Sequence, residues 1–347
     1  MKLAVMEKMK KGTQNQTLFS ADEIAVVTSG SVVIFTDKDV TSVQIDSRTI
    51  AAGSLFVPLK GERTDGHAHI EEALEKGAVG FLCSQKEWSE RKASLAKLAG
   101  SKAFCVTVSD TLEALQALAR HHMARFPRCV RIGVTGSSGK TTTKELVGAI
   151  LRTASNVAVS EGNLNSEIGV PLVAFRVADS HEYAVFEMGI NHPGEMDILA
   201  GIVKPDVAII TNIGTAHIGL LGSREGIAQE KKKIASLFNG KQVLFIHEDC
   251  EYAALFSENM RGEVIKYGKR STKGFSGSGN LGLDGFAIDW EGLRIRFPLF
   301  GEHNLDNALA ALSLAGFLGI DPALVKKSLE EFKQLSGSSE IITGEIS

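Results

Sequence analysis

The sequence predicts an α/β protein in two parts: a smaller mixed α/β domain, then a phosphate-loop-type, mostly parallel sheet with helices on both faces. Three observations carry this. Beyond residue 127, apolar strand-like runs at 130–135, 183–188, 207–213 and 242–246 alternate with helical patterns at 140–152, 168–174, 194–202 and 222–238. Strands separated by helices pair in parallel and are buried on both sides. The first run empties into Gly136-Ser137-Ser138-Gly139-Lys140-Thr141-Thr142 at the start of a helix. Finally, Phe126-Pro127-Arg128 ends a helix just before that run, which sets the domain boundary at 126/127.

Strand, glycine loop and helix are the parts of a phosphate cradle. Loop N–H groups converge, the helix N-terminus adds its positive dipole end, and Lys140 adds a full charge. Thr141 stands where a hydroxyl meets Mg²⁺ on a nucleotide. The strict phosphate-loop spacing would put glycine at Val134, so an ordinary glycine-rich strand-to-helix turn is the alternative.

The 347 residues are 44% apolar and 23% charged, with a net charge of −3. That balance gives no bulk attraction for nucleic acid or a membrane surface, so phosphate recognition must be local. No run is long enough to insert into a bilayer. Cys83, Cys105, Cys129 and Cys250 are scattered, without the spacing of a zinc or redox site, and point to a reducing cytoplasm.

In chain order, residues 1–17 read as a polar lead-in, and Ser20 as the cap of a helix at 21–27. Strand-like pieces follow at 32–36, 43–45 and 55–58, then a helix at 70–76, a strand at 79–82, a helix at 88–98 and a strand at 103–108. Ser109-Asp110 caps a helix whose Leu112, Leu115 and Leu118 share one face. In the second domain a Ser/Gly-rich stretch, 271–282, is expected to be a mobile loop, and 286–290 with 293–298 a hairpin around Glu291-Gly292. Helices at 304–318 and 322–334 follow, and a strand pattern begins at 340.

Several polar groups fall at strand ends, where α/β folds build sites. Ser47, Arg48, Lys60 and Arg63 lie in the first domain, where a solvated turn is the equal alternative. Glu187 follows an apolar strand and suits a metal ligand or a water-orienting group, and Asn191 and His192 lie in the next loop. His217 follows the next strand. Asn163 and Asn165 can read substrate or cap a helix; Asn304 and Asn307 share a helix face, where they can read a base or cap. In Lys231-Lys232-Lys233 the spacing does not select one lysine, and a solvated face is the default.

Collected, these stretches resemble the Mur ligase family, which builds the peptide of bacterial cell-wall precursors. The resemblance covers nearly the whole chain. It rests on Asp46-Ser47-Arg48, Leu59 to Arg63, Gly136 to Thr143, Gly162 to Asn165, Glu187 to Glu195, Ala216-His217 and His303 to Asn307. The Asn191 to Glu195 loop favours the branch that adds D-alanyl-D-alanine to UDP-N-acetylmuramoyl-tripeptide through an acyl phosphate. The resemblance implies that Gly136, Ser137, Ser138, Gly139, Lys140, Thr141 and Thr142 hold ATP, with Asn304 and Asn307 on its adenine side. Thr141, Glu187, His217 and a carbamylated Lys231 would hold Mg²⁺, with Lys140, Glu187, His217 and Lys231 catalytic. Ser47, Arg48, Lys60 and Arg63 would hold the UDP end, and Asn163, Asn165, Asn191 and His192 the rest of the substrate. It further implies a monomeric cytoplasmic protein, with domains at 1–126 for the UDP-substrate and 127–335 for ATP. Residues 336–347 are expected to begin a C-terminal domain that this chain lacks, and Ser338 stands where the family carries arginine. A non-catalytic nucleotide- and UDP-sugar-binding remnant and a folylpolyglutamate-type ligase are the alternatives.

Overall fold

The computed structural model describes residues 17–61, 64–216 and 218–333. Chain contacts separate two compact units between His122 and Met123.

The first unit is built on α1 (Ala21–Thr28), β1 (Ser31–Ile34), β2 (Ser42–Gln44), β3 (Ser54–Phe56), α2 (Ile70–Glu75), β4 (Gly80–Ser84), α3 (Gln85–Ala99), β5 (Phe104–Val108) and α4 (Thr111–Ala124). Ser20 caps α1 through the N–H of Glu23, and Asp110 caps α4 through the N–H groups of Leu112 and Glu113. Side-chain oxygens here satisfy donors that a helix start leaves unpaired. The sheet runs β1-β5-β4-β3-β2, parallel except for β1, which is antiparallel to β5. Phe56, Phe81 and Cys105 from the strands meet Ile70, Ala73 and Leu95 from the helices in its core.

The second unit continues with β6 (Val130–Thr135), α5 (Lys140–Arg152), β7 (Val157–Val159), α6 (Gly169–Ala174), β8 (Tyr183–Glu187), α7 (Glu195–Val203), β9 (Val207–Ile210), α8 (Ile218–Leu221), α9 (Arg224–Lys232), β10 (Val243–His247), α10 (Ala253–Ser257) and β11 (Glu263–Tyr267). Then come β12 (Phe275–Asn280), β13 (Phe286–Trp290), β14 (Leu293–Phe297), α11 (Glu302–Leu318) and α12 (Pro322–Glu330). Six parallel strands run β11-β10-β9-β6-β8-β7. Ile132 and Val134 of β6 join Leu146, Val147 and Ile150 of α5 and Leu305 and Leu309 of α11 in one core. Gly133 points the other way, against Met188, Pro205 and Ile234, because successive strand residues face opposite sides. Both faces are therefore covered, which is what parallel strands require.

β6 sits where the strand order changes direction: the chain next fills positions on the β8 side, then crosses to β9. In open α/β sheets the crevice for ligands lies at such a point, beyond the strands' C-terminal ends. The loop after β6 lies there.

Two expectations are corrected. The 271–282 stretch is not a mobile loop: Phe275–Asn280 forms β12, antiparallel to β13, so the hairpin becomes a three-stranded sheet. Backbone pairing needs no side chain, so serine and glycine composition hid the strand. The helix expected at 222–238 divides into α9 and a 3₁₀ turn, Lys233–Ala235. The expectations for residues 1–16, Arg63, His217, Ser338 and the segment from 334 onward lie outside the described residues.

Candidate active site

The phosphate loop is shaped by its neighbours. Gly136 has φ 152°, and a Cβ there would lie 1.8 Å from Thr211 Oγ1. Gly139 has φ 77° in the left-handed region, and a Cβ there would lie 2.4 Å from Asn307 Oδ1. Only glycine fits either position. From β9's end, Asn212 binds the loop on both sides of its amide: Oδ1 accepts the Ser138 N–H at 3.0 Å and Nδ2 donates to Ser138 Oγ at 2.8 Å. Ser137 Oγ in turn accepts the N–H of Gly214 at 2.8 Å. No side chain caps α5, so its first N–H groups are left for a ligand at the helix's positive end.

Two lysines converge on one oxygen. Lys140 Nζ, from α5, and Lys231 Nζ, from α9, each donate to the Gly136 carbonyl at 2.9 Å. Burial lowers the pKa of Lys140. Burial first, and then the like charge of Lys140, push Lys231 down to about 7, with Glu230 pulling the other way. A buried amine with its pKa lowered in this way keeps more of its neutral, nucleophilic form than a solvent lysine.

Glu187, at the end of β8, is 2% exposed and fully engaged. Oε2 accepts the Thr141 hydroxyl at 2.9 Å, and Oε1 accepts Asn165 Nδ2 at 2.7 Å. Ser160 Oγ accepts the Glu187 N–H at 3.1 Å. Lys144, one turn into α5 and wholly buried, stands 3.6 Å from Oε2 and donates to the Gly162 carbonyl at 3.3 Å. Asn165 thus meets the glutamate, while Asn163 is exposed.

A cleft of about 470 Å³ opens beyond Ser138 and Gly139, between α11 and the ends of β10 and β11. His247, Tyr267, His303 and Asp306 line it. His247 stands 3.5 Å from Asp306, whose hydrogen bond raises the histidine's pKa, and edge-on to Tyr267. Asn307 lines this cleft too, but its amide is engaged with Thr143 at 3.2 Å and with Asn304 at 3.2 Å. Asn304 in turn donates to the Phe300 carbonyl at 2.9 Å. Both asparagines are buried and brace the loop from α11.

The loop after β8 exposes Asn191, His192 and Pro193 at the same sheet edge. In the first unit, Asp46 caps the 3₁₀ turn Ser47–Thr49 and holds the Arg48 guanidinium through two of its nitrogens, at 2.9 and 2.7 Å. The Arg48 hydrogen bonds hold Asp46 down at about 2. Ser47 is buried and donates to Glu72 at 2.6 Å. Lys60 is exposed at a turn closed by its bridge to Asp65. Asp65 binds His67 Nδ1 at 2.6 Å, and the opposite ring nitrogen accepts the N–H of Ser84 at 3.0 Å.

Sequence reasoning missed Lys144, Ser160, Glu230, His247 and Asp306. Lys144 and Glu230 had a legible signal. Val147 and Leu151 follow Lys144, and Ile227 and Ile234 flank Glu230, at the three- and four-residue steps of buried helical stripes. A charge on such a stripe needs a partner.

Fold and site define a nucleotide-binding α/β class, with a phosphate loop at a topological switch point and lysines, a hydroxyl and a buried carboxylate around it. Residues 39–123 match the Mur ligase family catalytic domain and residues 134–315 the Mur ligase middle domain. The chain belongs to the Mur ligase family. It is 40% identical over 327 residues to the UDP-N-acetylmuramoyl-tripeptide–D-alanyl-D-alanine ligase of Treponema pallidum, covering 94% of this chain and 71% of the relative. It is 36% identical over 303 residues to the ligase of the same name from Bacillus subtilis, covering 86% and 64%. A crystal structure of MurF from Acinetobacter baumannii superposes with a TM-score of 0.83 at 29% identity, over 94% of this chain and 71% of the other. The Thermotoga maritima MurF ligase in complex with ADP superposes with a TM-score of 0.71 at 26% identity, over 85% and 66%. The relatives are named as ligases, and one of the solved structures holds ADP. Among the described residues no helix is long and apolar enough to cross a membrane.

Proposed function

We propose that this chain carries the UDP-substrate and ATP sites of a cytoplasmic, monomeric ligase that joins D-alanyl-D-alanine to UDP-N-acetylmuramoyl-tripeptide. The observation that carries the reading is the cluster at the phosphate loop: Lys140 and Lys231 share the Gly136 carbonyl while Thr141 pairs with Glu187. The names of the relatives supply the substrates.

In this reading the loop amides and Lys140 hold the β- and γ-phosphates, with Lys140 exchanging loop carbonyls for phosphate oxygen. Mg²⁺ fits the donor set: it takes oxygen ligands, and one or two carboxylates plus substrate phosphates suffice. Thr141 would hold one ion, Glu187 and His217 would hold or position a second, and a carbamylated Lys231 would add a further carboxylate. Carbamylation adds the Lys231 amine to CO₂ with loss of one proton and turns a cation into a carboxylate. The bound ions would supply charge neutralisation and in-line alignment. Asn304 and Asn307 brace the adenine side. Ser47, Arg48, Lys60 and Arg63 serve the UDP end, Arg48 turning from Asp46 to phosphate. Asn163 and Asn165, with Asn191 and His192, face the remaining substrate.

A terminal carboxylate oxygen of the tripeptide attacks the γ-phosphorus and ADP leaves. The amine of D-alanyl-D-alanine then attacks the acyl carbon, loses its proton, and expels phosphate to leave an amide. The protein's part is to hold two anions in line by opposite charge and fixed donors.

Calorimetry with ATP, with UDP-N-acetylmuramoyl-tripeptide, and with the K140A variant tests the reading. The expected result is that both ligands bind, and that K140A loses ATP affinity at least tenfold while keeping the tripeptide. Unchanged ATP affinity in K140A, or no tripeptide binding by the parent chain, overturns it.

A further inference from the structure

Glu230 precedes Lys231 on α9, and neighbouring helix residues point about 100° apart. Lys231 reaches the phosphate loop. Glu230 instead turns to the first turn of α7, where Oε1 accepts the Gly194 N–H at 2.8 Å and the Met196 N–H at 3.1 Å. Its other oxygen binds Lys233 at 2.8 Å, and Lys233 reaches Asp197 of α7 at 2.9 Å. The Glu230 carboxylate is almost wholly buried. A carboxylate that accepts two backbone N–H bonds and an ammonium is fully used as a clamp.

What it clamps is the exposed Asn191 to Gly194 loop. Glu195 closes the loop from within, its Oε2 accepting the Asn191 N–H at 2.6 Å. α9 is therefore a two-armed brace, with Lys231 on the phosphate loop and Glu230 on the loop that carries Asn191 and His192.

We infer that Glu230 is a positioning residue for substrate recognition: it holds the Asn191–His192 loop in register with the phosphate loop, so that these side chains meet the peptide end of the UDP-linked substrate. By occupying the N–H groups of Gly194 and Met196, it also keeps substrate carboxylates and phosphates from being captured at the positive end of α7. This rests on the proposed function, since only that reading puts a peptide against the loop.

The test measures two affinities and one local opening in the full chain: Kd for UDP-N-acetylmuramoyl-tripeptide, Kd for ATP, and hydrogen exchange at the Gly194 and Met196 amides. E230A is expected to weaken the tripeptide about tenfold, which is ~1.4 kcal/mol, to leave ATP within about twofold of the parent, and to speed exchange at those two amides. E230Q keeps an oxygen acceptor for both N–H groups and is expected to restore most of the tripeptide affinity. If E230A does not fold, K233A frees the carboxylate from its ion pair while keeping both backbone bonds, and is expected to weaken the tripeptide a few-fold. Equal loss of both ligands in E230A, or tripeptide affinity in E230A or K233A equal to the parent's, overturns the inference while leaving the ligase reading intact. A parent chain that binds no tripeptide overturns both.

Discussion

The shared carbonyl of Gly136 makes a quantitative prediction about Lys231. With a pKa of about 7, about half its amines are neutral at pH 7, against roughly one in a few thousand for a solvent lysine. Carbamylation needs the neutral amine, so labelled bicarbonate should give one carbamate signal by carbon NMR near neutral pH. The signal should fade as pH drops through the amine's titration and be absent in K231A. Lys140→Ala removes the neighbouring charge and should move the titration upward. A rise of about one unit would cut the neutral fraction at pH 7 from about a half to roughly a tenth. Stability should follow the same group. The unfolded lysine holds its proton up to about 10.5, whereas the folded one releases it at about 7. The unfolded state therefore binds more protons in that window, and stability should rise with pH across it. The penalty from burial and from the Lys140 charge acts in full below pH 7 and is about 5 kcal/mol. In urea, K231M should be more stable than the parent at pH 7, with the gap closing towards pH 10. A parent whose Lys231 titrates like a solvent lysine, or a carbamate signal that survives in K231A, would refute the reasoning.

Gly139→Ala puts a methyl group 2.4 Å from Asn307 Oδ1 at a positive φ. It should cost ~1–3 kcal/mol of stability and weaken ATP, measured by denaturation and calorimetry. Lys144→Met leaves Glu187 without its buried cation and should cost ~3 kcal/mol in urea unfolding. A loss below measurement error would show that the pair is not coupled. Asp46 should titrate near 2 by NMR. Its contribution to stability is present above the unfolded value of 3.8 and is lost as pH falls through about 2; D46N should abolish that titration and free Arg48.

The elements around the phosphate loop were legible because their signals agree. β6 and α5 fall at 130–135 and 140–152, as expected, since a β-branched buried run, two loop glycines and an amphipathic helix all point one way. Legibility fell where backbone pairing replaced side-chain pattern. β7 has only three residues, β11 carries charged Glu263 and Lys266 among its five at a sheet edge, and β12 is Ser/Gly-rich. In the site, Lys140, Thr141, Glu187 and Lys231 come together around the loop. Asn165 does so as a partner of the glutamate, and Asn304 and Asn307 as braces. Lys144 and Glu230 were missed because a helix charge reads as solvated by default, although each lies on an apolar helical stripe. His247 and Asp306 meet across 59 residues of sequence, a distance no local pattern spans.

The central claim is that the tripeptide's carboxylate is activated by direct attack on the γ-phosphate held at the Gly136 to Thr141 loop. Tripeptide labelled with heavy oxygen in that carboxylate, incubated with the chain, ATP, Mg²⁺ and D-alanyl-D-alanine, tests it directly. The account predicts that the released phosphate carries one labelled oxygen per amide formed and that none is released by K140A. Unlabelled phosphate released alongside newly formed amide would contradict it.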